Sequence, residues 1–140
     1  MAQPVLLSGV DTIAIDALER LLERHPEQFK SYAFSRAEQT YCDRQQYPPQ
    51  HYAGRWAVKE AFLKGIGDPE LSSELQAIEV ARSEGRPSLS LSGTPATRWR
   101  DALSTHGVDS DSTATSISLS HDHETGVAVG LFVAIGLPRS

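Results

Sequence analysis

Pro48-Pro49-Gln50-His51-Tyr52-Ala53-Gly54-Arg55-Trp56-Ala57-Val58-Lys59-Glu60-Ala61-Phe62-Leu63-Lys64-Gly65-Ile66-Gly67 reads as the longest helix of the chain. Paired prolines suit a first helical turn, where a missing N–H costs nothing. The glycines at the far end suit a stop and a left-handed cap. At about 100° per residue, Tyr52, Trp56, Phe62, Leu63 and Ile66 share one side, and Ala53, Ala57, Glu60, Ala61 and Lys64 share another. Three alanines around one acid and one base predict a low-relief surface on which a ligand can lie. Glu60 and Lys64 stand one turn apart, a carboxylate for a hard cation and an ammonium for phosphate oxygens. The same two residues also fit an ordinary i,i+4 ion pair.

Before this helix, Val5–Val10 reads as a short strand that ends at Gly9-Val10-Asp11. Asp11, at the edge of the apolar run, is a candidate ligand for a hard divalent cation; a turn or capping aspartate is the alternative. Ile15, Leu18, Leu21 and Leu22 have helical spacing, closed by Arg24-His25-Pro26. Pro26 opens a second short helix through Phe29 and Tyr32. Ser35-Arg36-Ala37-Glu38 matches a capping box and starts a helix that runs to about Gln45.

After the long helix the pattern changes. Leu75–Ala81 and Ser88–Leu91 read as strands around a turn at Glu84-Gly85-Arg86-Pro87. Thr94-Pro95 predicts a capped helix start, and that helix ends at Gly107. Asp109–Thr115 is the most loop-like stretch. Thr115–Ser120 and Gly126–Ile135 predict two last strands joined by a turn at His121–Thr125. Helices early and strands late indicate an α+β fold with helices packed on a small antiparallel sheet. His121, at a strand end among serines, is placed to donate to phosphate, to cap the strand or simply to be exposed. His121 and His123 lack the further ligands of a zinc site.

The chain has 140 residues, 39% hydrophobic and 22% charged, which fits one domain over 1–140. The net charge of −5 comes without a basic stretch, so nucleic acid is not an expected partner. No apolar run reaches the roughly 20 residues of a membrane span. Cys42 is the single cysteine, so no internal disulfide forms. A cytoplasmic location is expected.

Three blocks, in order, carry a resemblance to the holo-acyl-carrier-protein synthase family. Gly9-Val10-Asp11-Thr12-Ile13-Ala14-Ile15 is similar to its Gly-hydrophobic-Asp segment. Arg55 through Lys64 is similar to its Arg-aromatic-Ala-x-Lys-Glu-Ala-x-x-Lys signature. Ser116-Ile117-Ser118-Leu119-Ser120-His121 is similar to its Ser-hydrophobic-Ser-His segment. Phe34-Ser35-Arg36-Ala37-Glu38 and Ala77-Ile78-Glu79-Val80 add two weaker matches, and the blocks span nearly the whole chain.

The resemblance implies the 4'-phosphopantetheinyl transferase fold and transfer of phosphopantetheine from coenzyme A to a serine of an apo acyl carrier protein. It implies Asp11 and Glu60 as ligands of Mg²⁺ or Mn²⁺, and Glu60, Lys64 and Asp11 as the catalytic set. It implies coenzyme binding by Arg55, Lys59, Lys64 and His121, and a homotrimer with sites between subunits. The alternative is a non-catalytic coenzyme A-binding or scaffold homologue. The chain departs from the family pattern at Ala14 and Ala17, on the carrier-docking face, where Arg20 and Arg24 lie one turn further on. It departs again at Gly67-Asp68-Pro69, where the family has Gly-Thr-Gly.

Overall fold

A computed structural model describes residues 3–83 and 85–138. The described elements follow as β1 (Val5–Ala14), α1 (Ile15–Arg24), α2 (Pro26–Ala33), α3 (Arg36–Asp43), α4 (Pro48–Ile66), β2 (Ile78–Ser83), β3 (Arg86–Leu91), α5 (Gly93–Thr105), β4 (Thr113–Asp122) and β5 (Val127–Gly136). Short 3₁₀ segments fill Pro69–Ala77 and Ser110–Ser112. β1, β5 and β4 form an antiparallel three-stranded sheet in that order, and β2 and β3 form a separate hairpin. The architecture is α+β, as the sequence indicates.

The helix signals at Ser35 and Gly67 hold. Ser35 and Glu38 make the full capping box at the start of α3. α4 ends at Gly67, whose φ of 68° is the left-handed conformation that glycine adopts without steric cost.

The strand limits differ. β1 continues through Asp11 to Ala14, so Asp11 is an internal strand residue and not a strand end. The stretch expected to be a strand from Leu75 is still 3₁₀ until Ala77, because Leu71 and Leu75 turn inward to bury their side chains. Arg86 and Pro87 belong to β3 rather than to a turn, and Glu84 lies outside the described residues. Thr94 is inside α5; the cap position is Ser92, with no side-chain capping bond. The loop-like Asp109–Thr115 already contains the 3₁₀ turn and the start of β4, and the Asp109–Ser112 capping box holds that turn.

α4 lies directly on the sheet. A Cβ at Gly9 of β1 would strike the Ala61 carbonyl of α4, and one at Gly130 of β5 would strike the backbone of Ala57 and Val58. Ala53, Ala57 and Ala61 are fully buried against this contact. The alanine stripe is therefore not a ligand platform, as its relief suggests; small side chains there let helix and sheet backbones meet. Near its start α4 lies over β4, where a Cβ at Gly54 would sit 3.0 Å from Leu119. Its middle crosses β5 at Gly130 and its last turns cross β1 at Gly9, so the helix runs diagonally from one sheet edge to the other. On either side of this contact Phe132 packs edge-on to Phe62, with ring centroids 5.1 Å apart, and Trp99 sits 5.8 Å from Phe132.

A buried ion pair ties α2 and α3 to α4. Lys59 Nζ donates to Glu38 Oε1 at 2.6 Å, to the Ala33 carbonyl at 2.7 Å and to the Leu75 carbonyl at 2.9 Å. Glu38 Oε1 also accepts from Ser35 N, and Oε2 accepts from Val80 N at 2.9 Å. Both side chains are fully buried. The expectation that Lys59 binds the coenzyme is corrected here: all three of its protons are spent inside the protein, and none reaches the surface. Burial pulls the Lys59 pKa down, and Glu38 opposes that fall. Lys59→Met leaves the Glu38 carboxylate buried without its cation, so a loss of about 3–5 kcal/mol is expected in urea unfolding. A cost below about 1 kcal/mol would show that the pair does not hold these elements together.

Candidate active site

β1 and α4 bring three of the expected residues together at one edge of the sheet. Asp11 points to the α4 face of β1. Lys64 Nζ donates to Asp11 Oδ1 at 2.7 Å and to the Val10 carbonyl at 3.3 Å. The lysine side chain is 57% exposed and the aspartate 17%, so the pair opens to solvent on the lysine side. Glu60 is half-buried one turn before Lys64 on α4. Burial, and then the Asp11 charge, hold the Glu60 carboxyl above its usual range, with Lys64 acting against them. The hydrogen bond to Asp11 in turn holds the Lys64 ammonium above its usual range. A cleft of about 420 Å³ runs beside Glu60 and Lys64, with Leu63, Gly67, Pro69 and Ser72 as its other walls.

Two carboxylates served by one local ammonium leave room for a further cation, and oxygen donors suit Mg²⁺ or Mn²⁺. No group of three or more His, Cys, Asp or Glu side chains that could hold a metal occurs among the described residues. Asp11 and Glu60 would therefore hold such an ion together with water or ligand oxygens, as is usual for Mg²⁺ beside a phosphate ligand.

At the opposite edge, beside β4, lies a second group. His121 is within β4, with its ring 4.9 Å from that of His51 on α4. Arg55 is 3% exposed, donates to the His51 carbonyl at 3.3 Å and stacks 4.3 Å from the Tyr41 ring. Arg82 of β2 approaches the same ring at 5.2 Å. The buried Arg55 Nε has no hydrogen-bond partner among the described residues. Burial lowers the pKa of both histidines; Arg55 lowers both further, and His121 and Arg82 act on His51. Such a cluster of donors is suited to an anion.

The sequence reading found Arg55 and His121 but missed His51, Tyr41 and Arg82. His51 was within reach, since it lies four residues before Arg55 on one helix. Tyr41 and Arg82 join only through tertiary packing. Cys42 is buried and its thiol is pushed up to about 12 by that burial, so it supplies no thiolate.

A model of the 4'-phosphopantetheinyl transferase superfamily matches residues 8–125, which include both groups. The chain belongs to this superfamily. It is 36% identical over 124 residues to the holo-[acyl-carrier-protein] synthase of Syntrophus aciditrophicus, covering 87% of this chain and 91% of that one. It is 35% identical over 135 residues to the synthase of Anaeromyxobacter dehalogenans, covering 94% and 97%. A Chronobacterium ammoniagenes ACPS–CoA complex superposes with a TM-score of 0.76 and 27% identity, covering 96% of this chain and 99% of that one. The phosphopantetheinyl transferase fold is thus the fold of this chain. No helix among its described residues is long and apolar enough to cross a membrane.

The raised Glu60 pKa has a consequence for this transferase without ligand. A carboxyl whose folded pKa is raised adds stability only below its unfolded value and loses it as pH rises through the folded value. At pH 7 the charge on Glu60 therefore costs the fold something. Glu60→Gln is expected to raise the melting temperature of the metal-free chain at pH 7. Thermal melts should show the gain at pH 7 and its disappearance near about pH 3.5, where both states are protonated. A lowered melting temperature at pH 7 would contradict this placement of Glu60.

Proposed function

We propose that this chain, as a single transferase domain, moves 4'-phosphopantetheine from coenzyme A to a serine of an apo acyl carrier protein of fatty acid or polyketide synthesis, in the cytoplasm. The observation that carries the reading is the convergence of Asp11 with Glu60 and Lys64, the last two lining a cleft, in a chain of this superfamily. The non-catalytic alternative has no observation in its favour, since all three groups are present and adjacent.

Asp11 and Glu60 would hold Mg²⁺, which when bound supplies charge neutralisation to the diphosphate. Lys64 leaves or shares its bond to Asp11 and donates to diphosphate oxygens; its exposure lets it move. The carrier serine Oγ attacks the β-phosphorus, a new P–O bond forms, and the bond to the bridging oxygen breaks. 3',5'-ADP departs with that electron pair. The serine proton goes to Glu60 or to a water. Burial and the Asp11 charge raise the Glu60 pKa in the metal-free chain, whereas a cation held by the same carboxylate would oppose that rise, so water is as good an acceptor as Glu60.

The group at β4 would receive the phosphate of the coenzyme's nucleotide end, through Arg55, His121 and His51. On α4, Arg55 and Lys64 are nine residues apart and so point about 180° from each other, and Arg55 and Glu60 about 140°. One chain therefore presents two half-sites facing different ways. A site made of both needs a second copy, its β4 edge set against the first copy's β1 edge. Such a head-to-tail contact forms a ring where its rotation closes. The outer face of the sheet supports this: Leu6 is 67% exposed, Val10 54%, Leu131 39% and Ile135 48%. An apolar sheet face of this kind is unfavourable in water and marks an interface. The family resemblance implies a homotrimer, and such an assembly is compatible with both demands.

The test is intact-mass spectrometry of an apo carrier protein incubated with the chain, coenzyme A and Mg²⁺, with an EDTA control. A metal-dependent gain of one phosphopantetheine is expected, and Glu60→Gln should lower the rate by about a hundredfold or more. No mass gain on any of several apo carriers would sink the reading. The two histidines give a second expectation. Each has a lowered pKa that an adjacent phosphate would raise, so binding takes up protons. Coenzyme A affinity should strengthen as pH falls from about 8 to 6, and His121→Gln should flatten that slope in calorimetric titrations. A pH-independent affinity would remove the histidines from the site.

A further inference from the structure

The loop after α4 runs between two clefts. Gly67 and Pro69 border both the cleft beside Glu60 and Lys64 and a second one of about 500 Å³ on the far side. Asp68, between them, lines only the second. Its carboxylate accepts from Arg98 Nη1 of α5 at 3.0 Å, and Arg98 Nη2 lies 3.5 Å from Glu70. The Asp68 main chain is fixed on both sides: its N–H donates to the Leu63 carbonyl at 3.1 Å, and its carbonyl accepts from Leu71 N at 3.3 Å. The aspartate side chain makes no capping bond to the turn that follows.

We propose that Arg98 is a positioning residue for coenzyme binding: it holds the Asp68 carboxylate on the far side of the loop and neutralises it, so that an acid beside the Glu60–Lys64 cleft does not repel the diphosphate. This rests on the reading of that cleft as the diphosphate site. The chain already concentrates negative charge there in Asp11 and Glu60, and a third uncompensated carboxylate on the adjoining loop would act against an anionic ligand at short range. With the backbone pinned, only the side chain of Asp68 is free to turn. Arg98 is 43% exposed at its side chain and Asp68 17%, so the arginine is the partner that reaches in from solvent to the acid. Little stability is expected from so exposed a pair, which makes its effect on ligand charge the larger one.

Charge compensation and mechanical latching predict different patterns. If the pair merely latched the loop to α5, removing either partner would weaken coenzyme binding alike. If Arg98 compensates Asp68, the effects are unequal. Arg98→Leu should weaken coenzyme A binding about fivefold at low salt, less at high salt, with kcat at saturation little changed. Asp68→Asn should bind as tightly as the parent chain or more tightly, and Asp68→Asn with Arg98→Leu should restore parental affinity. Titration calorimetry of coenzyme A on the four chains reads the affinities, and the carrier mass shift reads kcat. Equal losses in the two single variants, or no rescue in the double, would overturn the proposal. So would an Arg98→Leu chain that folds by thermal melt and binds normally. Failure of the parent chain to bind coenzyme A would overturn the proposed function and this inference with it, whereas parental binding without the asymmetry overturns the inference alone.

Discussion

The contact on which the rest depends is backbone against backbone: α4 rests on the three-stranded sheet with no side chain between them at Gly9 and Gly130. At ordinary helix–sheet spacing, larger side chains would separate the layers and the helix could slide or rotate over them. Here the carbonyl of Ala61 and the backbone of Ala57 and Val58 meet the strands directly, which fixes both the depth and the crossing direction of α4. Close packing transmits such a constraint because interiors have little free volume to absorb a shift. The position of every charged group on α4 follows from it. Glu60 and Lys64 arrive at β1 beside Asp11, and Arg55 arrives at β4 beside His121.

Lys59 shows the same constraint from the other side of the helix. A lysine flanked by Val58 and Glu60 within the signature looks, in one dimension, like one more cation for a phosphate. Once α4 is pressed on the sheet, position 59 faces α3 and the 3₁₀ segment, where the Ala33 and Leu75 carbonyls and Glu38 surround it. A buried charge is tolerable only when paired and fully hydrogen-bonded. The arrangement meets that condition, since Glu38 is itself held by Ser35 N and Val80 N. What reads as a ligand-binding cation is a tie between three helices, the 3₁₀ segment and a strand.

Much was legible in the sequence, and the failures share a cause. Local signals were read correctly where the physics is local: the Ser35–Glu38 box, Pro26 and Pro48 as helix starts, and Gly67 as the left-handed stop. The reading failed where meaning depends on what lies opposite. The Ala53, Ala57 and Ala61 stripe is low in relief, which suits a ligand and a glycine-bearing strand equally; only the sheet decides. Asp11 reads as a strand end because polarity breaks an apolar run, yet β1 passes through it, since an edge strand bears a polar side chain where a helix end leaves it uncovered. Asp68 stands out in the sequence only as a departure from the family pattern, because its partner Arg98, thirty residues later, is invisible to any local pattern.

On the proposed reading neither half-site is sufficient alone, and this links assembly to chemistry. Asp11, Glu60 and Lys64 offer a place for a metal and a diphosphate but little to hold a nucleotide. Arg55, His51 and His121 offer donors, Arg55 Nε among them with no partner among the described residues, but no carboxylate to carry a cation. Holding the two ends of one long ligand at separate sites adds their binding energies only if the geometry allows both at once. Within one chain α4 turns them about 180° apart, so the energy of covering the apolar outer face of Val10 and Leu131 is the natural source of that geometry. In the proposed assembly the hydrophobic effect assembles the site. The polar groups then need only be complementary to a coenzyme that spans the joint.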